Sequence, residues 1–167
     1  MAYTNLLKPT RSTQTTGSAE ISWNLDTATF NTFTGSASSE PLTSFNSKST
    51  SLLLCSGYGT SVIPSTSDGS TITIIDGIEV KVLSDKKGRI KDNIIQLAQS
   101  GSVIGSNKAN ANAGNIHTYG GSTDTWGTSL TYSDLSSLQV ALKYSSGTVP
   151  HKDSVYVYSV QLKIYYT

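Results

Sequence analysis

The last part of the chain alternates between apolar and polar positions with a period of two. One face would carry Tyr156, Tyr158, Val160, Leu162, Ile164 and Tyr166. Ser159, Gln161 and Lys163 mark the opposite face. A period of two is that of a strand with one buried face. The pattern therefore predicts a long strand over residues 154–166, and its regularity favours a position inside a sheet.

A second long run covers residues 72–83. Its predicted apolar face consists of Ile72, Ile74, Ile78, Val80 and Val82. Asp76 and Gly77 interrupt the run, and this dipeptide is typical of a two-residue hairpin turn. Because the apolar positions keep their phase across Asp76, we expect one continuous strand with a bend or bulge. A hairpin turn at the same place is the alternative.

Shorter segments carry weaker strand signals, and turn-forming residues separate them. They are residues 21–25, 52–63, 90–99 and 138–142. Residues 132–135 read as a turn or a single helical turn. Residues 84–88 are polar and end in Gly88, which predicts the turn of an antiparallel hairpin. Five of the twelve basic residues lie between Lys81 and Lys91, with Asp85 and Asp92 nearby, so we expect a solvated hairpin tip.

Together these signals predict an all-β fold, an antiparallel β-sandwich that is jelly-roll-like. Residues 21–167 would form this single domain. Residues 1–20 are mostly small and polar, so we expect an N-terminal arm that is flexible or docked on a neighbour. Leu6, Leu7 and Pro9 are the candidate assembly residues of the arm.

Composition narrows the classes of function. The chain has 167 residues, of which 14% are charged, and a formal net charge of +1. Hydroxyl residues are abundant instead, with 28 Ser and 22 Thr. A charge near zero gives little attraction for nucleic acid or anionic membranes. We therefore expect neither as a partner, and no apolar run is long enough to span a bilayer.

Residue types that carry catalysis are few and scattered. The three glutamates are far apart in sequence, and His117 and His151 are isolated. Cys55 lies in an apolar run and is typical of a small buried residue. We therefore predict no catalytic residues, no metal site and no cofactor, and we expect a protein that is not an enzyme.

Three aromatic residues allow two interpretations. Tyr119, Trp126 and Tyr132 lie in a segment rich in Gly, Ser and Thr. They would either plug one end of the sandwich or present a face to a sugar ring, as aromatic side chains do at carbohydrate sites.

Several segments of the chain resemble a β-sandwich domain common in structural proteins of tailed bacteriophages. The most specific is Tyr-Gly-Gly-Ser-Thr-Asp-Thr-Trp-Gly at residues 119–127. The others are residues 77–82, 90–97, 105–109 and 162–167, so the resemblance covers about residues 52–167.

The resemblance implies assembly in a virion and not catalysis, since such domains occur in head decoration, minor structural and tail or fibre proteins. We expect a capsid decoration or cement protein that stabilises the head. Its partners would be further copies of itself, as a homotrimer, and the major capsid protein. Its location would be the virion, after synthesis in the host cytoplasm without a signal peptide. The alternative is a receptor-binding or glycan-binding tail module that contacts a host surface glycan.

Overall fold

A computed structural model describes residues 1–25, 37–38, 48–67, 71–147 and 153–167. Thirteen strands are present in these ranges. They are β1 (Ala2–Tyr3), β2 (Arg11–Thr15), β3 (Asn24–Leu25), β4 (Ala37–Ser38), β5 (Leu52–Ser56), β6 (Thr66–Ser67), β7 (Thr71–Ile72), β8 (Ile75–Lys87), β9 (Lys91–Gln99), β10 (Ser102–Ile104), β11 (Ile116–Gly120), β12 (Leu138–Ser145) and β13 (Ser154–Tyr166). Two short 3-10 helices occupy Thr60–Val62 and Tyr132–Ser137.

The strands form two antiparallel sheets, which confirms the predicted all-β sandwich. Sheet A has the order β11-β8-β13-β4-β3, with β1 also paired to β13. Sheet B has the order β10-β9-β12-β5-β2. Strands β6 and β7 form a separate two-stranded ribbon. From β8 to β13 the long strands alternate between the two sheets, which is the jelly-roll-like feature of the fold.

The turn after β8 is present, but the predicted hairpin is wrong. Strands β8 and β9 belong to different sheets and do not pair with each other. Gly88 has a φ of 80°, which favours glycine, and the chain crosses there from sheet A to sheet B.

The core lies between the inner faces of the two sheets. The largest fully buried side chains are Trp126, Tyr144, Leu53, Ile63, Ile78, Ile95, Leu97, Leu138, Leu142, Leu162 and Ile164. Trp23 is also buried, and its Nε1 donates a hydrogen bond of 2.8 Å to the carbonyl oxygen of Ser51. Ile21 and Leu25 pack against the same core, although only Asn24–Leu25 of the predicted strand at residues 21–25 form a strand.

A bulge at Asp76 confirms that the strand continues through Asp76 and Gly77, but the predicted run over residues 72–83 is not one strand. Strand β8 begins at Ile75, and Thr71–Ile72 form β7 in the separate ribbon. The bulge also corrects the buried face. Gly77 lies opposite Tyr165, whereas Ile75 lies opposite Tyr166, so Asp76 has no partner in the register. The extra residue reverses the alternation. Ile75 is therefore buried, whereas Ile74, which we expected in the core, is 59% exposed.

Strand β13 is confirmed over its predicted length and lies inside sheet A, but part of its predicted face is wrong. The register shifts between Val157 and Ser159, which leaves Tyr158 without a partner on β8. Val155 and Val157 therefore enter the core. Tyr156 and Tyr158 are only partly buried, and their rings stack with centroids 6.3 Å apart.

The structure places the N-terminal segment against its own domain. Strand β1 pairs with β13 and β2 pairs with β5. Leu7 exchanges two backbone hydrogen bonds with Leu162, of 2.7 and 2.9 Å, and packs against the core. Pro9 is buried, whereas Leu6 is 38% exposed. Backbone pairing orders this polar segment, which has few apolar side chains of its own.

Candidate functional site

The segment at residues 119–127 docks onto strand β8 of sheet A. Trp126 is fully buried, and its Nε1 donates a hydrogen bond of 2.8 Å to the carbonyl oxygen of Ile78. The backbone N–H of Gly121 donates to the same oxygen over 3.1 Å. Trp126 therefore anchors its loop to β8 next to the bulge, and it offers no exposed face to a sugar.

Close backbone approach explains the glycines of this segment. A Cβ on Gly120, whose φ is 77°, would collide with the carbonyl oxygen of Ile78 and lie 2.6 Å from Nε1 of Trp126. A Cβ on Gly77 would collide with the backbone of Gly121 and Ser122. Gly120 and Gly77 are thus accounted for by the docking of the loop onto the bulge, whereas a Cβ on Gly121 would meet no atom within 4 Å.

An ion pair fixes the same loop from outside. Lys108 Nζ lies 2.6 Å from Oδ2 of Asp124 and 5.7 Å from the centre of the Trp126 ring. The other oxygen of Asp124 accepts a hydrogen bond of 2.8 Å from the backbone N–H of Trp126. Burial alone would raise the pKa of Asp124, but these hydrogen bonds and the charge of Lys108 outweigh it and lower that pKa.

Tyr119 belongs to a buried polar network. Its hydroxyl donates a hydrogen bond of 2.6 Å to Oδ2 of Asp92. Lys86 Nζ lies 3.1 Å from Oδ1 of Asp92 and donates over 2.6 Å to the carbonyl oxygen of Ala113. Burial, and then the hydrogen bond to Asp92, raise the pKa of Tyr119. The network is satisfied within the fold, so it ties the loop at 106–115 to β8 and β9.

This network corrects the expected solvated tip. Only 8% of the Lys86 side chain and 1% of the Asp92 side chain are exposed. Lys87 and Asp85 are more open and form an ion pair of 3.4 Å. The difference arises because the loop at 106–115 returns over the end of β8, which the local sequence does not reveal.

Of the three aromatic residues that the sequence singled out, Tyr132 alone is not buried. It lies at the start of the 3-10 helix Tyr132–Ser137 and lines an open cleft of about 360 Å³. The cleft faces the loop at residues 57–61. Tyr132 packs against the same core with part of its side chain and leaves the rest open to this cleft, whereas Tyr119 and Trp126 are buried.

The two ends of the described chain meet on the outer face of sheet A. Tyr3 lies opposite Tyr165, and the backbone of Thr167 exchanges hydrogen bonds of 2.8 and 3.0 Å with Ile74. Lys163 Nζ lies 4.2 Å from the centre of the Tyr3 ring and 5.1 Å from that of Tyr165. We call the surface formed by Met1, Tyr3, Ile74, Lys163 and Tyr165 the terminal face.

The terminal face carries three of the most exposed apolar side chains of the described residues. Met1 is 66% exposed, Tyr3 62% and Ile74 59%. Clustered exposed apolar side chains mark interaction surfaces. The sequence did not predict this surface, because it depends on the pairing of β1 with the far end of the chain and on the bulge that turns Ile74 outward.

Cys55 and His117, two residues of types that carry catalysis, lie in the described ranges. No group of three or more His, Cys, Asp and Glu side chains there could hold a metal ion. Burial raises the pKa of the Cys55 thiol, and His117 packs edge-on against Tyr119. His151 lies outside the described residues. No helix in these ranges is long and apolar enough to cross a membrane.

Comparison with known proteins adds no relative. No protein-family model, curated protein or solved structure matches the chain.

Proposed function

We propose that the protein is a structural component of a tailed-bacteriophage virion, in which it decorates and stabilises the capsid. The observation that carries the proposal is the terminal face, where three of the seven large apolar side chains exposed among the described residues lie together. The resemblance of residues 52–167 to phage β-sandwich domains supports the same class of function. In this proposal the partners are the major capsid protein and two further copies of the chain.

The chemistry of the terminal face suits a permanent protein contact. Tyrosines supply large contact area with little loss of side-chain entropy. Lys163 lies against two of these rings, and Glu79 accepts a hydrogen bond of 3.1 Å from the hydroxyl of Tyr165. Lys163 and Glu79, which lie opposite each other on β13 and β8, therefore each already have a tyrosine partner on this face.

The low charge of the whole chain supports the same proposal. Decoration proteins stand close together in many copies, and like charges on neighbouring copies repel each other. A net charge of +1 with 50 hydroxyl residues, the sum of 28 Ser and 22 Thr, keeps a surface hydrated without such repulsion.

The proposal is tested by placing charge in the terminal face. The double variant Tyr3→Glu, Ile74→Glu introduces two carboxylates at exposed positions, so the fold is expected to persist. Heads purified without the chain are mixed with each protein, and bound protein is measured by cosedimentation. We expect the double variant to bind at least about tenfold more weakly than the wild type, because a buried contact does not tolerate unpaired charge.

The matched control is Val62→Glu, since Val62 is 65% exposed and lies in the 3-10 helix Thr60–Val62, away from the terminal face. This variant should bind like the wild type. Equal binding of the wild type and the double variant, or no binding of the wild type to heads, would contradict the proposal. Sedimentation velocity of the free protein tests the trimer separately.

A further inference from the structure

Two open clefts lie side by side at one end of sheet B, and we call them together the groove. The first, of about 360 Å³, lies between residues 57–61 and the 3-10 helix Tyr132–Ser137. The second, of about 330 Å³, lies between the start of β2 and the same helix. Gly57 and Ser136 line both clefts. Each volume falls within the range of about 300 to 1,000 Å³ typical of small-ligand sites.

The lining of the groove is almost free of charge and rich in hydroxyls. Arg11 is the only charged residue among those that line either cleft. Ser61 and Ser100 are exposed, so their hydroxyls are accessible from the groove. Hydroxyls both donate and accept, which matches the alternating donors and acceptors of a polyhydroxylated ligand. Tyr132 packs partly against the core and leaves the rest of its side chain open to the first cleft, where the C–H face of a sugar ring can pack.

The Arg11 end of the groove differs from the Tyr132 end. Arg11 is exposed and forms no ion pair with any carboxylate of the described residues. Its neighbours in the second cleft are neutral, including Ser100, Ser137 and Gln139. A guanidinium with free donors binds a carboxylate in a bidentate arrangement. The Arg11 end therefore suits an acidic sugar unit, and the Tyr132 end suits a neutral sugar face.

The walls of the groove are held in place before any ligand binds. Thr131 and Asp134 form a capping box that fixes the start of the 3-10 helix. Thr10 Oγ1 donates a hydrogen bond of 3.1 Å to the carbonyl oxygen of Gly57, and Gly101 N donates over 2.8 Å to Oε1 of Gln139. A preformed groove loses little conformational entropy on binding.

We propose that this groove binds an acidic oligosaccharide, with a sugar ring packed on Tyr132 and the carboxylate of a uronic acid unit bound by Arg11. The proposal is independent of the capsid assignment, because the groove and the terminal face consist of different residues.

The test is a titration of the isotope-labelled full-length protein, followed by backbone amide chemical shifts. The probes are tetragalacturonate, the neutral tetrasaccharide maltotetraose and inorganic phosphate. We expect tetragalacturonate to shift amides of residues 56–61 and 132–137 and those next to Arg11. Maltotetraose should bind more weakly and leave the amides next to Arg11 unshifted.

Substitutions at Arg11 and Tyr132 test the proposed role of each end of the groove. Arg11→Gln should weaken tetragalacturonate binding about tenfold and remove its advantage over maltotetraose. Tyr132→Ala should abolish binding of both sugars, whereas Tyr132→Phe, which keeps the ring, should retain it. The matched controls Lys91→Gln and Tyr156→Ala change an exposed cation and a partly exposed tyrosine elsewhere, and they should bind like the wild type.

Three results would overturn the proposal. The first is no shift with either sugar at millimolar concentration. The second is a set of shifts outside the groove, or variants at Arg11 and Tyr132 that bind like the wild type. The third is a response to phosphate equal to that with tetragalacturonate, since this would identify an anion site without sugar recognition. None of these results bears on binding to heads.

Discussion

Trp126 combines a left-handed backbone conformation, with a φ of 58°, and a fully buried indole. A large residue other than glycine adopts this conformation at a cost of about 1–2 kcal/mol. Burial of the ring and the hydrogen bond from Nε1 to Ile78 offset that cost. Trp126 thus contributes to function through the stability of its loop and not through contact with a ligand.

Replacing Trp126 tests this role. We expect Trp126→Ala to lower the free energy of unfolding by about 3–5 kcal/mol, because it leaves a cavity in the core. Trp126→Phe should cost less, since it keeps most of the ring and Gly121 still donates to the carbonyl oxygen of Ile78. Urea denaturation followed by circular dichroism measures both values. A loss below about 1 kcal/mol for the alanine variant would show that the side chain is not packed as described.

Tyr119 makes stability depend on pH in the alkaline range. Burial and the hydrogen bond to Asp92 raise its pKa in the folded protein above the ordinary value of 10.0. A raised pKa contributes stability that is fully present below about pH 10 and is lost as the pH rises above it. The charged form of Tyr119 is accessible chiefly in the unfolded chain, so high pH favours unfolding.

Tyr119→Phe removes both the hydrogen bond to Asp92 and the hydroxyl that ionises at high pH. At pH 7 the variant should be less stable by about 1–3 kcal/mol, the contribution of a hydrogen bond to a charged group. Above pH 10 its free energy of unfolding should fall less steeply with pH than that of the wild type. Denaturant titrations between pH 7 and 11 measure both, with Tyr156→Phe as the control at a partly exposed tyrosine. Parallel curves for the wild type and Tyr119→Phe would disprove the assignment.

The strands differ in how well their sequence predicts them. Strand β13 was predictable, because alternation is a local signal. Residues 132–135 were predicted as a turn or a single helical turn, and the structure has a 3-10 helix there that continues to Ser137. The effect of the two bulges in sheet A was not predictable, since one extra residue changes which face is buried without changing the composition. Tyr158 and Asp76 are the extra residues. Beyond each of them, the side chains that face the core switch from one set of alternate positions to the other.

The sequence also did not predict that the segment at residues 119–127 docks onto β8. A pair of glycines allows a direct test of this docking. Gly120 and Gly101 both have positive φ, of 77° and 83°. A Cβ on Gly120 would collide with Ile78, whereas one on Gly101 would meet no atom within 4 Å. A comparison of alanine variants at Gly120 and Gly101 therefore separates the cost of a collision from the cost of backbone strain.

We expect Gly101→Ala to lower the free energy of unfolding by about 1–2 kcal/mol, the cost of the left-handed conformation alone. Gly120→Ala should lower it by about 3 kcal/mol or more, because displacement of Ile78 or Trp126 adds to that strain. Thermal and urea denaturation of the two variants gives the comparison. Equal losses for both would mean that the loop at 119–127 does not approach β8 closely.

The whole molecule presents two surfaces that only the folded chain reveals. The terminal face combines residues from both ends of the sequence, and the groove combines residues 10–11, 56–61, 100 and 132–139. No local pattern predicts such combinations, because they depend on pairing between distant strands. The sequence left open whether Tyr119, Trp126 and Tyr132 plug the sandwich or face a ligand. It did not distinguish Tyr132, which lines a cleft, from the other two, which are buried.

The capsid assignment predicts the number of copies of this chain in a virion. Quantitative mass spectrometry of purified particles, calibrated against the major capsid protein, measures that number. Decoration of the head lattice predicts hundreds of copies per particle, in a fixed ratio to the major capsid protein. A handful of copies would place the chain at the tail, and its absence from the particles would contradict a role in the virion.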